Sequence, residues 1–204
     1  ATPRSDWRGA GTAIPVFSLR SEADFGAGDF ADIRLMVDWC VRTGQKVLQL
    51  LPVNDTTMTR TWVDSYPYKA NSTFALHPMY LRLEEAGTPD DEKSRRRHEA
   101  LRRELNALPT VDYERVCNAK EEYMRDIYRR QGADTMAGAE YRRFEAANRD
   151  WLTPYAVWCT LRDIKGTADN NQWGDMAKYD AQAVEQFAAG HAAEAGYYRF
   201  VQFH

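Results

Sequence analysis

The sequence predicts an α/β fold in which one strand-helix-strand unit is followed by long helices. The first observation is an almost unbroken apolar run from Lys46 to Val53, which is typical of a strand covered on both faces. The second is a helical repeat of apolar side chains over residues 29–44, which follows a shorter apolar run. The third is a stretch rich in charges of both signs, residues 84–149, which indicates solvated helices.

The strand-helix-strand unit begins with a predicted strand over Ala13 to Leu19. Asp29 has the residue type and position of a helix N-cap, and Gly44 is placed to end the helix. Apolar side chains that recur every three or four residues predict its buried face, namely Phe30, Ile33, Val37, Cys40 and Val41. A helix that connects two adjacent strands makes them parallel, with a right-handed crossover.

Composition divides the chain into three parts. Residues 1–83 are predicted to hold this unit and a loop that follows it, residues 84–150 a charged helical insertion, and residues 151–204 aromatic-rich helices that lead to a third strand. Two strands alone cannot close into a barrel. The last helix is still apolar where it reaches His204, so we expect the residues that pack against it to lie beyond the end of this sequence.

Charge and composition argue against several classes of function. The formal net charge of −3 over 204 residues gives no field that would attract nucleic acid or an anionic membrane. No apolar run approaches the roughly 20 residues that span a bilayer, and no signal peptide opens the sequence. The three cysteines lie far apart and form no CxxC pair, so we expect free thiols in a reducing compartment. We therefore predict a cytoplasmic protein that uses no cofactor and no metal.

The segment after the second predicted strand is the best candidate for a binding site. Ligands of parallel α/β folds bind at the carboxyl ends of the strands, which is where Asn54, Asp55 and Thr56 lie. The residues just beyond them combine flat rings with short polar side chains, as a sugar site requires: Trp62, Asp64, Ser65, Tyr66, Pro67, Tyr68, Asn71 and Ser72. Such rings could equally serve to pack the loop onto the scaffold.

Three other patterns favour ordinary structural roles. Asp55 and Asp64 could be a carboxylate pair for glycoside chemistry, but a hydrogen-bonding role in a turn is favoured for both. The arginines within residues 95–103 alternate with glutamates, which indicates a solvated helix rather than a nucleic-acid patch. His191 and Glu194 have a spacing that can hold a metal on a helix, yet no second such pair accompanies them.

Several segments together resemble the 4-α-glucanotransferases, the amylomaltases of glycoside hydrolase family 77. The residues that carry the resemblance lie at 15–19, 25–30, 44–45, 50–56, 64–68, 74–81, 144–155 and 198–203. The match is weakest in the charged stretch 84–143. The Asn-Asp-Thr ending of the second strand and the Ser-Tyr-Pro-Tyr sequence at 65–68 are most similar to the maltose-acting, disproportionating branch of the family.

The resemblance implies a (β/α)8 TIM barrel, of which this chain holds the first two strands and a large helical insertion. It implies a retaining transfer of α-1,4-glucan or glucosyl units, in which an Asp nucleophile, a Glu acid/base and a further Asp act. All three would lie on later strands, so no catalytic residue is assigned in this sequence and the isolated chain is expected to be inactive.

The resemblance also assigns substrate-binding residues and partners. Tyr68 would place its ring beside the sugar near the scissile bond, with Ser65 and Asp64 as hydrogen-bonding neighbours. The expected partners are maltose, maltodextrins or larger α-glucans, and the remainder of the same catalytic barrel. Nucleic acid and membranes are not expected to bind.

Two alternative functions remain open at this stage. One is another α-glucan hydrolase or a branching enzyme on the same barrel. The other is a non-catalytic helical module, built on residues 84–204, that binds protein or RNA. A polar, aromatic loop at 54–72 after a strand-helix-strand unit has no use in such a module, which argues against it.

Overall fold

The computed structural model describes residues 7–204, in which two strands near the beginning are followed by helices. Strand β1 spans Gly11–Ile14 and strand β2 spans Val47–Leu50. The α-helices are Phe30–Arg42 (α1), Leu83–Ala86 (α2), Glu92–Asn106 (α3), Tyr113–Ala137 (α4), Ala139–Lys165 (α5), Ala181–Gly190 (α6) and Ala192–Phe203 (α7). The two strands pair in parallel, with Gly11 opposite Val47 and Ile14 opposite Leu50, which confirms the predicted strand-helix-strand unit.

Both strands are shorter than predicted, and β1 begins two residues earlier than the predicted Ala13. Proline has no N–H to donate to a ladder, so β1 ends before Pro15 and a 3-10 turn follows at Val16–Ser18. Strand β2 likewise ends two residues before Pro52. Every second residue of β2 is exposed, so the prediction of a strand covered on both faces is wrong for the described part of the chain.

Helix α1 begins and ends where the sequence predicts. The Asp29 carboxylate accepts a hydrogen bond from the N–H of Ala31, and the Asp32 carboxylate accepts one from the N–H of Asp29, which makes a capping box. Gly44 follows the helix with a φ of +72°, a conformation that glycine adopts without strain. The predicted apolar face is only partly covered within the described residues, because Cys40 is buried whereas Val41 is 71% exposed.

Buried charges tie the start of α1 to the segment before α2. Arg82 lies 2.6 Å from a carboxylate oxygen of Asp29 and 2.8 Å from one of Asp32, and both aspartates are at most 2% exposed. A guanidinium that pairs with two buried carboxylates offsets the cost of removing them from water. The cap of α1 is therefore also a tertiary contact.

The main apolar core lies between α4, α5 and α7. It includes Ile127 from α4, Ala156 from α5 and Phe200 from α7, each with no exposed surface. The predicted helices of the C-terminal part are thus present, and the proposed boundary between residues 150 and 151 falls inside the continuous helix α5. The division into three parts stays a prediction.

The last helix already has partners within the chain. Phe200 and Val201 of α7 belong to the main core, and the Phe203 ring packs edge-on against Tyr141 of α5 at 5.4 Å. The expectation that the residues which pack on this helix lie beyond His204 is therefore wrong, because α4 and α5 cover its apolar side. Helix α6 packs on the other side of α5 through a second, smaller cluster around Trp173.

None of the helices within residues 7–204 combines the length and the apolar character needed to cross a membrane. Of the two longest helices, α4 carries charged residues along its length, and α5 carries them up to Asp150 and again from Arg162.

Lys120 is a buried charge that joins α4 to the segment around residue 80. It is 2% exposed, and its ammonium donates hydrogen bonds to the main-chain oxygens of Met79 at 2.7 Å and Leu81 at 2.8 Å. Burial lowers the pKa of the Lys120 amine to about 8, so the group is mainly charged at neutral pH.

Replacing Lys120 with methionine should destabilise the protein by about 2–4 kcal/mol, because two buried carbonyl oxygens lose their donor. Urea denaturation at pH 7 measures this change. Lys93→Met on the exposed side of α3 is the control and should shift the free energy of unfolding by less than about 0.5 kcal/mol. Equal stability of the two variants would contradict a structural role for the Lys120 ammonium.

Candidate functional site

The loop after β2 is closed at its base by short antiparallel pairing. Asn54 pairs with Leu76 in an isolated bridge, and the N–H of Asp55 donates to the carbonyl of Ala75 at 2.9 Å. Gln202 of α7 then exchanges two side-chain hydrogen bonds with the backbone of Leu76, at 2.8 and 2.9 Å. The two ends of the loop therefore lie side by side at the carboxyl end of β2. Ligands of parallel α/β folds bind at this end of the strands.

Asp55 lies beneath this loop and holds it to α5. Its carboxylate is 1% exposed and accepts hydrogen bonds from the Tyr155 hydroxyl at 2.7 Å, the Asn71 amide at 3.1 Å and the Thr57 hydroxyl at 2.6 Å. Burial raises the pKa of Tyr155 well above its usual value, so its hydroxyl keeps its proton and stays a donor. The hydrogen bonds of the Asp55 carboxylate therefore serve to hold the loop in place.

Asp64 organises the loop from within. Its carboxylate is 3% exposed, and one of its oxygens accepts the N–H groups of Met58, Thr59 and Arg60 at 3.1, 2.8 and 2.6 Å. Three successive amides that converge on one anion form a nest, which is a favourable site for a negative charge. Both aspartates of the predicted carboxylate pair therefore take the hydrogen-bonding role that the sequence favours.

The burial of Asp64 bears on its predicted contact with substrate. A sugar could reach its carboxylate only if the loop around it opened, because one oxygen accepts the three amides and the other accepts the Thr59 hydroxyl. We therefore assign Asp64 to the loop itself, and we keep Ser65 and Tyr68 as the residues predicted to contact a ligand.

Ser65 and the two tyrosines that follow lie on the outside of the loop. Tyr66 is 57% and Tyr68 62% exposed, and their ring centroids are 5.5 Å apart at an angle of 49°. The hydroxyl of exposed Ser65 donates to the carbonyl of Trp62 at 2.8 Å and retains acceptor capacity. With Trp62, which is 53% exposed, these side chains offer rings and a hydroxyl to solvent on one loop.

Arg60 connects the loop to three helices, a role that sequence reasoning missed. Its guanidinium pairs with Asp163 of α5 at 3.0 Å and Glu121 of α4 at 3.0 Å, and it donates to the Tyr198 hydroxyl of α7 at 3.2 Å. The Tyr198 hydroxyl also donates to Asp163. An arginine in a loop without periodicity gives no signal of these partners, which lie far along the sequence.

A cavity of about 60 Å³ lies between the loop and helices α4, α5 and α7. Its lining includes Asp55, His77, Cys117 and Lys120. Ligand pockets usually hold about 300–1,000 Å³, so this space suits a few ordered waters rather than a sugar. Burial raises the pKa of the Cys117 thiol to about 12, which leaves it protonated and unreactive at neutral pH.

Among residues 7–204, no three or more His, Cys, Asp or Glu side chains are grouped so that they could hold a metal ion. The ring of His191 stacks on Phe187 with centroids 4.0 Å apart, and its Nδ1 lies 3.1 Å from the Phe187 carbonyl.

Comparison with known proteins identifies similar sequences over the whole chain. The sequence model of the family described as 4-alpha-glucanotransferase matches residues 14–204. The 4-alpha-glucanotransferase DPE2 of Oryza sativa subsp. japonica is 36% identical over 212 residues, which cover 100% of this chain and 22% of the rice protein. The 4-alpha-glucanotransferase of Chlamydia caviae is 32% identical, over 95% of this chain and 36% of its own length.

A solved structure has the same fold. The crystal structure of amylomaltase from Corynebacterium glutamicum matches 96% of this chain with a TM-score of 0.69 at 18% sequence identity, and the match covers 26% of the amylomaltase chain. The chain thus spans between about a fifth and about a third of the length of these relatives.

His77, which lines the cavity, gives a prediction about pH. Its Nδ1 accepts the N–H of Met79 at 3.1 Å, so the neutral ring carries its proton on Nε2, 2.9 Å from the Tyr113 hydroxyl. Burial lowers the pKa of His77 below 6.5. Because the unfolded chain then binds the proton more readily, His77 should lower the free energy of unfolding as the pH falls through and below 6.5.

Replacing His77 with glutamine should therefore flatten the acid side of the stability profile, by up to about 1.4 kcal/mol per pH unit. Urea denaturation between pH 7 and pH 5 measures the slope. His191→Gln is the control, and its stability profile should keep the slope that His77 contributes. An unchanged slope in His77→Gln would contradict this assignment.

Proposed function

The chain belongs to the 4-alpha-glucanotransferase family, glycoside hydrolase family 77, and on that premise we propose that it is part of an enzyme that transfers α-1,4-glucan units. The observation that carries the proposal is the loop after β2, which presents Tyr66 and Tyr68 to solvent at the end of a parallel strand. Exposed rings beside a hydroxyl such as that of Ser65 suit the apolar faces and hydroxyl groups of a glucose unit.

We propose that β1 and β2 are the first two strands of a (β/α)8 barrel. The fold that the chain shares with amylomaltase supports this arrangement. So does the exposed apolar side of α1, where Leu35 is 58% and Val41 71% exposed, since helices of such a barrel pack against neighbouring helices. The rest of the same barrel is the proposed partner of that side.

The proposed reaction is a retaining double displacement on maltose, maltodextrins or larger α-glucans. We assign none of its catalytic carboxylates to residues 7–204, because Asp55 and Asp64 are buried and occupied by hydrogen bonds. Tyr68 and Ser65 would contact the sugar, and later strands of the barrel would supply the acid and the nucleophile. We propose the cytoplasm as the location.

The longer enzyme that carries this chain should convert maltotriose into glucose and a ladder of longer maltodextrins, which chromatography resolves. Hydrolysis would instead yield only shorter sugars, and a branching enzyme would introduce α-1,6 linkages. Either of these outcomes, or salt-dependent RNA binding without any sugar chemistry, would contradict the proposal. The isolated chain should give no product, because the proposal assigns none of the catalytic carboxylates to residues 7–204.

In that enzyme, Tyr68→Ala should lower kcat/KM for maltotriose by about 10- to 100-fold, because a ring that packs on a sugar is lost. Tyr179→Ala is the matched control, since Tyr179 is also an exposed tyrosine, 73% exposed, but lies before α6 and away from the loop. Equal activity of the two variants would argue against a role for Tyr68 in the glucan site.

A further inference from the structure

We propose that Arg60 and Asp64 act together as positioning residues that set the place of Ser65 and Tyr68 in the glucan site. This inference rests on the proposed function and concerns how the same loop is held. We call the set formed by Arg60, Asp64, Glu121, Asp163 and Tyr198 the loop brace.

The first half of the loop brace is Asp64, which fixes the chain immediately before Ser65. Its side chain accepts the amides of Met58, Thr59 and Arg60, and its main-chain oxygen accepts the Thr56 hydroxyl at 2.5 Å. Both the side chain and the main chain of Asp64 are therefore held by residues 56–60 at the beginning of the loop. These hydrogen bonds favour a single conformation of the segment. In any other conformation the buried carboxylate would lose its partners and remain charged without a hydrogen bond.

The second half is Arg60, which joins the folded loop to the helices. Its φ is +62°, a left-handed conformation that a residue with a side chain adopts at a cost, so the surroundings must impose it. The carboxylate of Asp64 fixes its backbone N–H, while Glu121 and Asp163 fix its guanidinium. Arg60 thus makes both the contact within the loop, to Asp64, and the contacts that join the loop to the helices.

A second contact from α4 supports the same part of the loop. The N–H of Trp62 donates to the Glu114 carboxylate at 2.8 Å, and the Trp62 ring lies 6.1 Å from that of Tyr113. The first half of the loop is therefore tied to α4, α5 and α7, whose packing forms the main core.

Residues 65–68 lack comparable ties, although Asn71 beyond them is bonded to Asp55. Among the described residues, the ring contacts of Tyr66 and Tyr68 are with each other, and Ser65 bonds only within its own turn. These side chains take their position from residues 56–64 before them and from Asn71, which is bonded to Asp55, after them. Displacement of a substrate-contacting group by about 1 Å can cost roughly 100-fold in rate, so the loop brace is expected to matter for turnover.

The test uses the longer enzyme that carries this chain, with Asp64→Ala and Arg60→Gly. Glycine adopts the left-handed backbone at position 60 without strain, and it removes the whole side chain together with its guanidinium. Hydrogen exchange followed by mass spectrometry should show faster exchange at residues 56–68 in both variants and unchanged exchange in α4, α5 and α7. Unchanged exchange at 56–68 would overturn the proposal.

A double-mutant cycle distinguishes positioning from general damage. Asp64→Ala should lower kcat/KM about 30-fold in an otherwise wild-type enzyme, but only about threefold in a Tyr68→Ala background, where the displaced Ser65 alone remains to transmit its effect. The conservative variants Asp64→Asn and Arg60→Lys should recover part of the activity. Losses that multiply in the double variant would overturn the proposal.

Asp180→Ala is the matched control for Asp64→Ala. Asp180 also accepts a backbone N–H, that of Ala183 at 2.7 Å, but it caps α6 and has no contact with the loop brace. It should leave both exchange at 56–68 and kcat/KM unchanged. If the wild-type enzyme transfers no glucan, the proposed function fails, whereas the exchange measurement still decides whether Arg60 and Asp64 hold the loop.

Discussion

The hydrogen bonds from three successive amides to the Asp64 carboxylate are the interaction on which the candidate site depends. A charged group that is 3% exposed is tolerated only when it is fully paired, so the loop must bend around it. That bend turns Arg60 toward the helices, where its guanidinium forms ion pairs with Glu121 and Asp163. The positions of the exposed tyrosines follow from this arrangement.

The same constraint recurs at two other places where irregular chain meets the core. Asp29 caps α1 and also pairs with Arg82, and Lys120 donates to the main-chain oxygens of Met79 and Leu81. In each case a loop has backbone groups or side chains that regular structure does not satisfy, and a buried charge satisfies them. Buried ions therefore define the shape of the loops, while apolar packing holds the helices.

Local features were readable from the sequence and long-range ones were not. The N-terminal cap of α1 depends on residues at most three positions apart, Asp29 and Asp32, and Asp29 was predicted. The end of β1 was not predicted: the expected strand ran on to Leu19, although Pro15 is a local signal that ends it. In contrast, Arg60 meets Asp163 across 103 positions and Asp55 meets Tyr155 across 100. Neither pair produces a periodic pattern in the sequence. Each partner is a single polar residue, and the residues around it follow the pattern of their own helix or loop. The composition of the loop made Tyr68 and Ser65 candidates, but their specific roles came from resemblance.

The charged composition of residues 84–149 was interpreted as a solvated surface, and for most of α3 that holds. Glu121 differs: its side chain is 25% exposed because it faces Arg60 rather than water. An exposed arginine-glutamate pair contributes little, but one that is partly shielded and shared with Asp163 and Tyr198 confines a guanidinium from several sides. The helices after residue 84 are therefore more than a covering for the strand-helix-strand unit. They provide the fixed charges against which the loop is set, so a change inside α4 or α5 can alter the candidate site without touching it.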